Sequence, residues 1–297
     1  MLWVMVTLAA AAAQTARNAM QSSLTGSLGT LGATQVRFLF GLPFAICFLL
    51  VALTISGSSL SPLTERFLLF TAAGAIAQIL GTVALLAAMQ ARSFSVATAF
   101  SKTEAVQVSV FGLLLLGDDL SLMKSVAILT ATTGVFLMAF RADERLTRAS
   151  ALPVLQGIAS GGFYAMAAVG FRGGIMSLSP DTAFYVRASE TLVCSLMIQS
   201  FLLGLWMLAF QRPQLVRSFQ MWRQSSFAGF MGALASQFWF LGFSLTSAAN
   251  VRTLGLLEVI FAQVVSQRMF SQSLSRRELL GMMLVVAGVG LLLATQV

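Results

Sequence analysis

Apolar residues in this chain come in long unbroken runs, not in the one-sided stripe of a soluble helix. A hydrocarbon core about 30 Å thick needs roughly 20 such residues at 1.5 Å rise each. Ten runs meet that length: Leu2 to Met20, Gly32 to Thr54, Phe67 to Met89, Phe94 to Leu116, Leu122 to Phe140, Leu152 to Phe171, Thr182 to Phe210, Phe227 to Thr246, Ala249 to Phe270 and Leu279 to Thr295. Short polar turns separate them, among them Ser56-Gly57-Ser58-Ser59, Gly117-Asp118-Asp119, Ser179-Pro180-Asp181 and Ser273-Leu274-Ser275. The longest polar segments, Arg141 to Ser150 and Gln211 to Ser226, are too short to be domains.

Composition sharpens this. Of 297 residues, 58% are hydrophobic and 9% charged, against roughly a quarter charged in soluble chains. The absence of His excludes a Ser-His-Asp triad and an imidazole metal site, and no metal or other cofactor is expected. Cys47 and Cys194 stand in apolar runs without metal-ligand spacing and read as small apolar fillers. The net charge of +8 comes from scattered basic residues, as expected of loops beside a bilayer and not of a nucleic-acid surface. The first run lacks a basic preceding region and a clear cleavage site, so it is expected to be retained as a span.

The chain aligns with itself. Gln35-Val36-Arg37-Phe38 matches Tyr185-Val186-Arg187-Ala188 at an offset of 150 residues. At an offset of 154, Thr103-Glu104-Ala105-Val106 matches Leu257-Glu258-Val259-Ile260, and Gly134-Val135 matches Gly288-Val289. Two five-span repeats follow, residues 1–145 and 146–297. Because five is odd, the second enters the membrane in the opposite sense. The expected fold class is an all-α integral membrane protein of ten transmembrane helices in two inverted-topology repeats around a central cavity, an architecture of secondary transporters.

Orientation divides the signals. With cytoplasmic termini, the cytoplasmic side carries Arg66, Lys124, Arg172 and Arg252. The opposite side then carries Arg92, Arg141, Arg145, Arg148, Arg212, Arg217, Arg223, Arg268, Arg276 and Arg277. The positive-inside rule therefore favours external termini.

Charges inside the spans are costly and need partners. They are Arg37, Lys102, Glu104, Arg187, Glu190 and Glu258, and they sum to zero. Arg187 and Glu190, three apart, are within reach of a direct pair on one helix, or of a substrate. Lys102 and Glu104, two apart, point to different sides and must each find a partner on another helix. Glu104 and Glu258 are symmetry mates; they either bind a cation, proton or ammonium group, or cap backbone or pair with Lys102 or Arg37.

Uncharged polar residues also fall at helical spacing. Gln14, Asn18 and Gln21 form a stripe beside Arg17, and Gln78 and Thr82 form another. Tyr164 occupies the position matching Gln14, and Gln237 and Trp239 lie on the eighth span. These residues either line a central cavity or hydrogen-bond between helices. An aromatic wall suits a ring-bearing or cationic ligand, with Tyr164 and Trp239 the residues expected to reach it. Small residues such as Ala72, Gly161, Gly162, Gly281 and Gly288 allow close helix approach. No GxxxxGK[ST] phosphate loop occurs.

Two fused five-span halves, with Leu257-Glu258-Val259, Phe270 to Leu274, and Gly281 and Gly288 in the last span, resemble the EamA-type family of the drug/metabolite transporter superfamily. Val259 and Ala105 replace the family's Pro after Glu, and the Gly-Glu of its turn is Gly117-Asp118 in one half and Ser271-Gln272 in the other. The resemblance implies a basket of ten helices around a central cavity, usually with cytoplasmic termini, and a carrier of amino acids, other metabolites, drugs or nucleotide-derived compounds. Gln14-Thr15-Ala16-Arg17-Asn18 and Leu28-Gly29-Thr30-Leu31-Gly32-Ala33 look similar to the branch that exports aromatic amino acids.

The expected function is therefore a non-enzymatic secondary transporter of a bacterial inner membrane. It exports small amphipathic metabolites, aromatic or other neutral amino acids foremost, by alternating access, and acts as a monomer of two fused halves. The substrate and the lipid bilayer are its partners. A multidrug or cationic-metabolite exporter or an uptake carrier is the alternative; an intramembrane enzyme or a channel is a distant one.

Overall fold

The computed structural model describes residues 1–91, 100–139, 151–261 and 275–295, apart from the side chains at 18–23, 89–91, 139 and 151. Parts of the fourth and ninth expected spans (94–99 and 262–270), the segment 140–150 and the turn residues 271–274 lie outside the described residues.

Among the described residues there is no strand. The helices are α1 (Leu2–Leu39), α2 (Leu42–Ser56), α3 (Glu65–Ala91), α4 (Glu104–Leu116), α5 (Leu122–Ala139), α6 (Ala151–Met176), α7 (Phe184–Phe210), α8 (Arg212–Gln220), α9 (Trp222–Leu245), α10 (Ala248–Leu254) and α11 (Arg276–Ala294). Among the described residues, six helical stretches are long and apolar enough to cross a membrane: Leu24–Ser56, Glu65–Ala88, Leu152–Met176, Phe184–Phe210, Trp222–Leu245 and Arg276–Ala294. Glu104–Leu116 and Leu122–Met138 are shorter apolar helices.

Local chemistry sets the ends. The Ala-rich start of α1 favours helix, and helical hydrogen bonding carries on through the expected first loop. Gly29 interrupts it with φ 68° and ψ 173°, a conformation that only glycine adopts cheaply. Phe40 and Gly41 then divide the expected second span, and Pro43 sits in the first turn of α2, where its missing N–H costs nothing. Gly57 ends α2 in the left-handed region, its N–H reaching Leu53 O at 2.9 Å. Ser275 and Glu278 close a reciprocal capping box at the start of α11.

The chain forms two compact units. The first is Met1–Ile76 with Gly170–Thr246, and the second is Ala77–Val169 with Ser247–Val297. Each therefore draws on both halves of the sequence. In the first unit α1 packs along α9, and α7 packs on α2 and α9. Large apolar side chains fill it, Phe38, Phe67, Phe171, Phe243 and Met207 being fully buried. In the second unit α5 lies along α11. Their backbones come so close at Gly288 that an added Cβ would fall 2.5 Å from Ala131 N. Ile128, Val135, Leu256 and Val285 pack around that contact.

The outer surfaces are oily. Leu122 (83% exposed), Leu114 and Phe201 face outward, while Gln35, Ser189, Glu190, Ser195, Gln199 and Thr253 are buried. Apolar exterior with polar residues inside suits a lipid solvent, and the chain is a multi-pass membrane protein by its apolar helices.

Candidate functional site

The most unusual local structure lies in the second unit. Helix runs through Phe100 and Ser101, breaks at Lys102 and Thr103, and resumes as α4 at Glu104. It likewise breaks at Gly255 and Leu256 after α10 and resumes at Leu257. The two interruptions fall within one residue of matching positions in the sequence repeat, each shortly ahead of a glutamate.

Both are tightened by bonds to the third residue back. Thr103 N donates to Phe100 O at 3.2 Å and Ala105 N to Lys102 O at 3.2 Å. Leu256 N donates to Thr253 O at 3.1 Å and Glu258 N to Gly255 O at 3.0 Å. Such 3₁₀ turns inside a span are weaker than α-helix and mark points where it bends. Thr103 Oγ1 reinforces the first by donating to Phe100 O at 2.7 Å while accepting from Gln107 Nε2 at 2.9 Å. Helix α6 presses on this break through Gly161, where a Cβ would lie 2.7 Å from Thr103 Oγ1 and 2.8 Å from Ser101 O.

Four charges brace the two breaks across the chain. Lys102 Nζ pairs with Glu258 Oε1, and Arg252 Nε lies 2.9 Å from Glu104 Oε1. The second contact is a charge contact whose N–H is not aimed at the oxygen, since neither atom meets hydrogen-bond geometry there. Glu104 and Glu258 are each only 7% exposed, so solvent screens these pairs little. Each glutamate thus takes its cation from the other broken segment, and the set is neutral. Of the alternatives open in the sequence, Glu258 follows pairing with Lys102. Glu104 is instead met by Arg252, a residue counted in the sequence only among the loop and helix-end charges that bear on orientation.

A second group in this unit links three expected residues. Tyr164 Oη donates to Thr82 Oγ1 at 3.1 Å, which donates to Gln78 O at 2.9 Å. The Gln78 side chain itself is half-buried on α3.

In the first unit, Trp239 Nε1 donates to Gln14 Oε1 at 2.8 Å, joining α9 to α1, and Gln237 Nε2 donates to Ser189 Oγ at 2.9 Å. Trp239 is buried and Gln14 half-buried. Arg17 is half-buried on α1, and the Asn18 side chain lies outside the described residues. The Arg37 guanidinium stacks on Phe38, 4.4 Å from the ring centroid.

Arg187 and Glu190 do not pair with each other. Glu190 Oε1 accepts the backbone N–H of Ser61 at 2.8 Å, which fastens the α2–α3 connection to α7, while Glu190 Oε2 and Arg187 Nε are buried without hydrogen bonds. A backbone donor from a loop distant in sequence outcompeted the neighbouring side chain, something helical spacing alone does not reveal. Arg172, expected at a loop, instead caps the end of α9 by donating to Phe243 O at 2.9 Å and to Thr246 O.

A crystal structure of a protein 14% identical to this one superposes with a TM-score of 0.75, covering 100% of this chain and 98% of that one. The two share a fold. No curated protein matches this sequence. The EamA-like transporter family matches residues 152–294, which supports a place in the drug/metabolite transporter superfamily and a transporter in preference to an enzyme.

Proposed function

We propose that this protein is a secondary transporter that exports small amphipathic metabolites, aromatic or other neutral amino acids foremost, across a bacterial inner membrane by alternating access. Ten spans in two inverted five-helix repeats, divided near residue 145, are its architecture, and one chain is the working unit. The observation that carries this reading is the pair of helix breaks at Lys102–Thr103 and Gly255–Leu256, cross-braced by Lys102–Glu258 and Arg252–Glu104. The family match over residues 152–294 supports it.

A carrier needs an element with two arrangements, and coupling passes through whatever holds one of them. Bends of 3₁₀ type give the spans a place to flex, and the ion pairs hold one arrangement. Because the four charges cancel, this region asks for no net charge from its cargo. Of the expected cavity residues, Trp239 and Gln14 in the first unit offer a ring face and an amide to an aromatic amino acid.

Protonation of Glu104 or Glu258 would release its cation and couple transport to a proton gradient; without it, the cargo moves down its own gradient. Counterflow of radiolabelled aromatic amino acids in proteoliposomes, with and without an imposed pH gradient, tests both parts. Saturable counterflow is expected, and its absence for every amino acid tried overturns the cargo class. Net flux indifferent to the pH gradient removes proton coupling.

A further inference from the structure

Helix α8 is nine residues long and joins the end of α7 to the start of α9, two helices apolar enough to span. It therefore runs where a bilayer meets water, given the membrane reading above. One face is fixed to the protein: Leu215 and Ser218 are buried, Ser225 Oγ donates to Ser218 O at 2.8 Å, and Phe219 meets Phe40 at 5.2 Å between ring centroids.

Exposed on this helix are Arg212 and Arg217, with exposed Arg223 just beyond. None of the three has an ion pair among the described residues, and no acidic residue stands anywhere between Glu190 and Glu258 in the sequence. Large aromatic side chains flank them in the open: Phe210 is 73% exposed and Trp222 58%, with the Arg223 guanidinium 5.5 Å from the Trp222 ring. Aromatic anchors at headgroup depth beside unpaired arginines match an anionic lipid surface in both polarity and charge.

We infer that α8 and its flanks form a binding surface for anionic phospholipid headgroups, in which Arg212, Arg217 and Arg223 meet the phosphates while Phe210 and Trp222 enter the acyl boundary. The surface selects negatively charged lipid over zwitterionic lipid and retains it around the α7–α9 corner. This rests on the membrane reading but not on the cargo, so the readout is lipid retention and not flux.

The full chain is placed in nanodiscs of phosphatidylcholine mixed with phosphatidylglycerol, and the lipids retained after detergent release are identified by native mass spectrometry. Wild-type protein is expected to retain phosphatidylglycerol in preference, on the order of tenfold or more for three interfacial arginines, and the preference is expected to fall with added salt. R212Q/R217Q/R223Q should lose it, R212K/R217K/R223K should keep it, and R276Q/R277Q, beside Glu278, should leave it unchanged. Equal retention of both lipids by the wild type, or a preference that survives in the glutamine variant, overturns the inference. Should the glutamine variant fail to fold, the salt titration of the wild type decides: a preference insensitive to salt overturns it.

Discussion

Lys102 and Glu258 form an ion pair between two helix interruptions that lie within one residue of equivalent places in the two halves of the chain. The partner of each lies far away in sequence, and both are largely withdrawn from solvent. Removing one member strands the other charge, whereas exchanging them preserves the attraction.

Lys102→Ala and Glu258→Ala should each lower stability by about 3–5 kcal/mol. The exchange K102E/E258K should recover at least half of that loss. Thermal unfolding in detergent gives the comparison; single variants as stable as the wild type would show that the pair holds nothing.

The contact between α6 and the first break is set by the missing Cβ of Gly161. Gly161→Ala should displace Thr103 and the Ser101 carbonyl, costing about 1–3 kcal/mol. Gly290 on α11 has nothing within 4 Å of the added Cβ, so Gly290→Ala should instead stabilise by about 0.5–1 kcal/mol through helix propensity. Equal shifts in melting temperature for the two would mean that the close approach is not felt.

Trp239→Phe keeps a ring but removes the N–H that Gln14 accepts. A loss of about 1–3 kcal/mol is expected if only the buried bond matters. Under the proposed function, cargo affinity should also weaken by about tenfold, or about 1.4 kcal/mol. Ligand-dependent thermal shifts separate the two, because an unchanged shift at saturating cargo with unchanged affinity assigns Trp239 to packing alone.

Glu190 holds the Ser61 amide. Glu190→Ala should speed hydrogen exchange at that amide, by about tenfold or more for a charge-assisted bond worth ~1.5–3 kcal/mol. Exchange at Ser61 no faster than in the wild type would remove the carboxylate as the anchor of the loop.

Much of this was legible from residue patterns because a bilayer imposes length on its spans. The long apolar runs, the turn at Gly57, the Ser275 cap and the tight helix approach at Gly281 and Gly288 all follow from local chemistry. Partner choice among the charges does not. Arg252 looked like a residue of a helix end, yet it faces Glu104, because the chain between Asn250 and Leu257 turns at Gly255. Neither break carries proline, so the first had no breaker to announce it at all; it becomes visible only when α6 packs its Gly161 against Thr103. The opposite error befell Arg187 and Glu190, where proximity along one helix suggested a bond that a distant backbone amide takes instead.

The crosswise order of the four charges also constrains how the sequence can change over time. A charge altered at position 102 leaves its mark on 258, and one altered at 252 leaves its mark on 104. Descendants of this gene can lose or exchange these residues at tolerable cost only as matched pairs. Among relatives, paired substitution between the fourth and ninth spans is therefore the expected signature, while the glutamates, though repeats of one another, are free to diverge in kind.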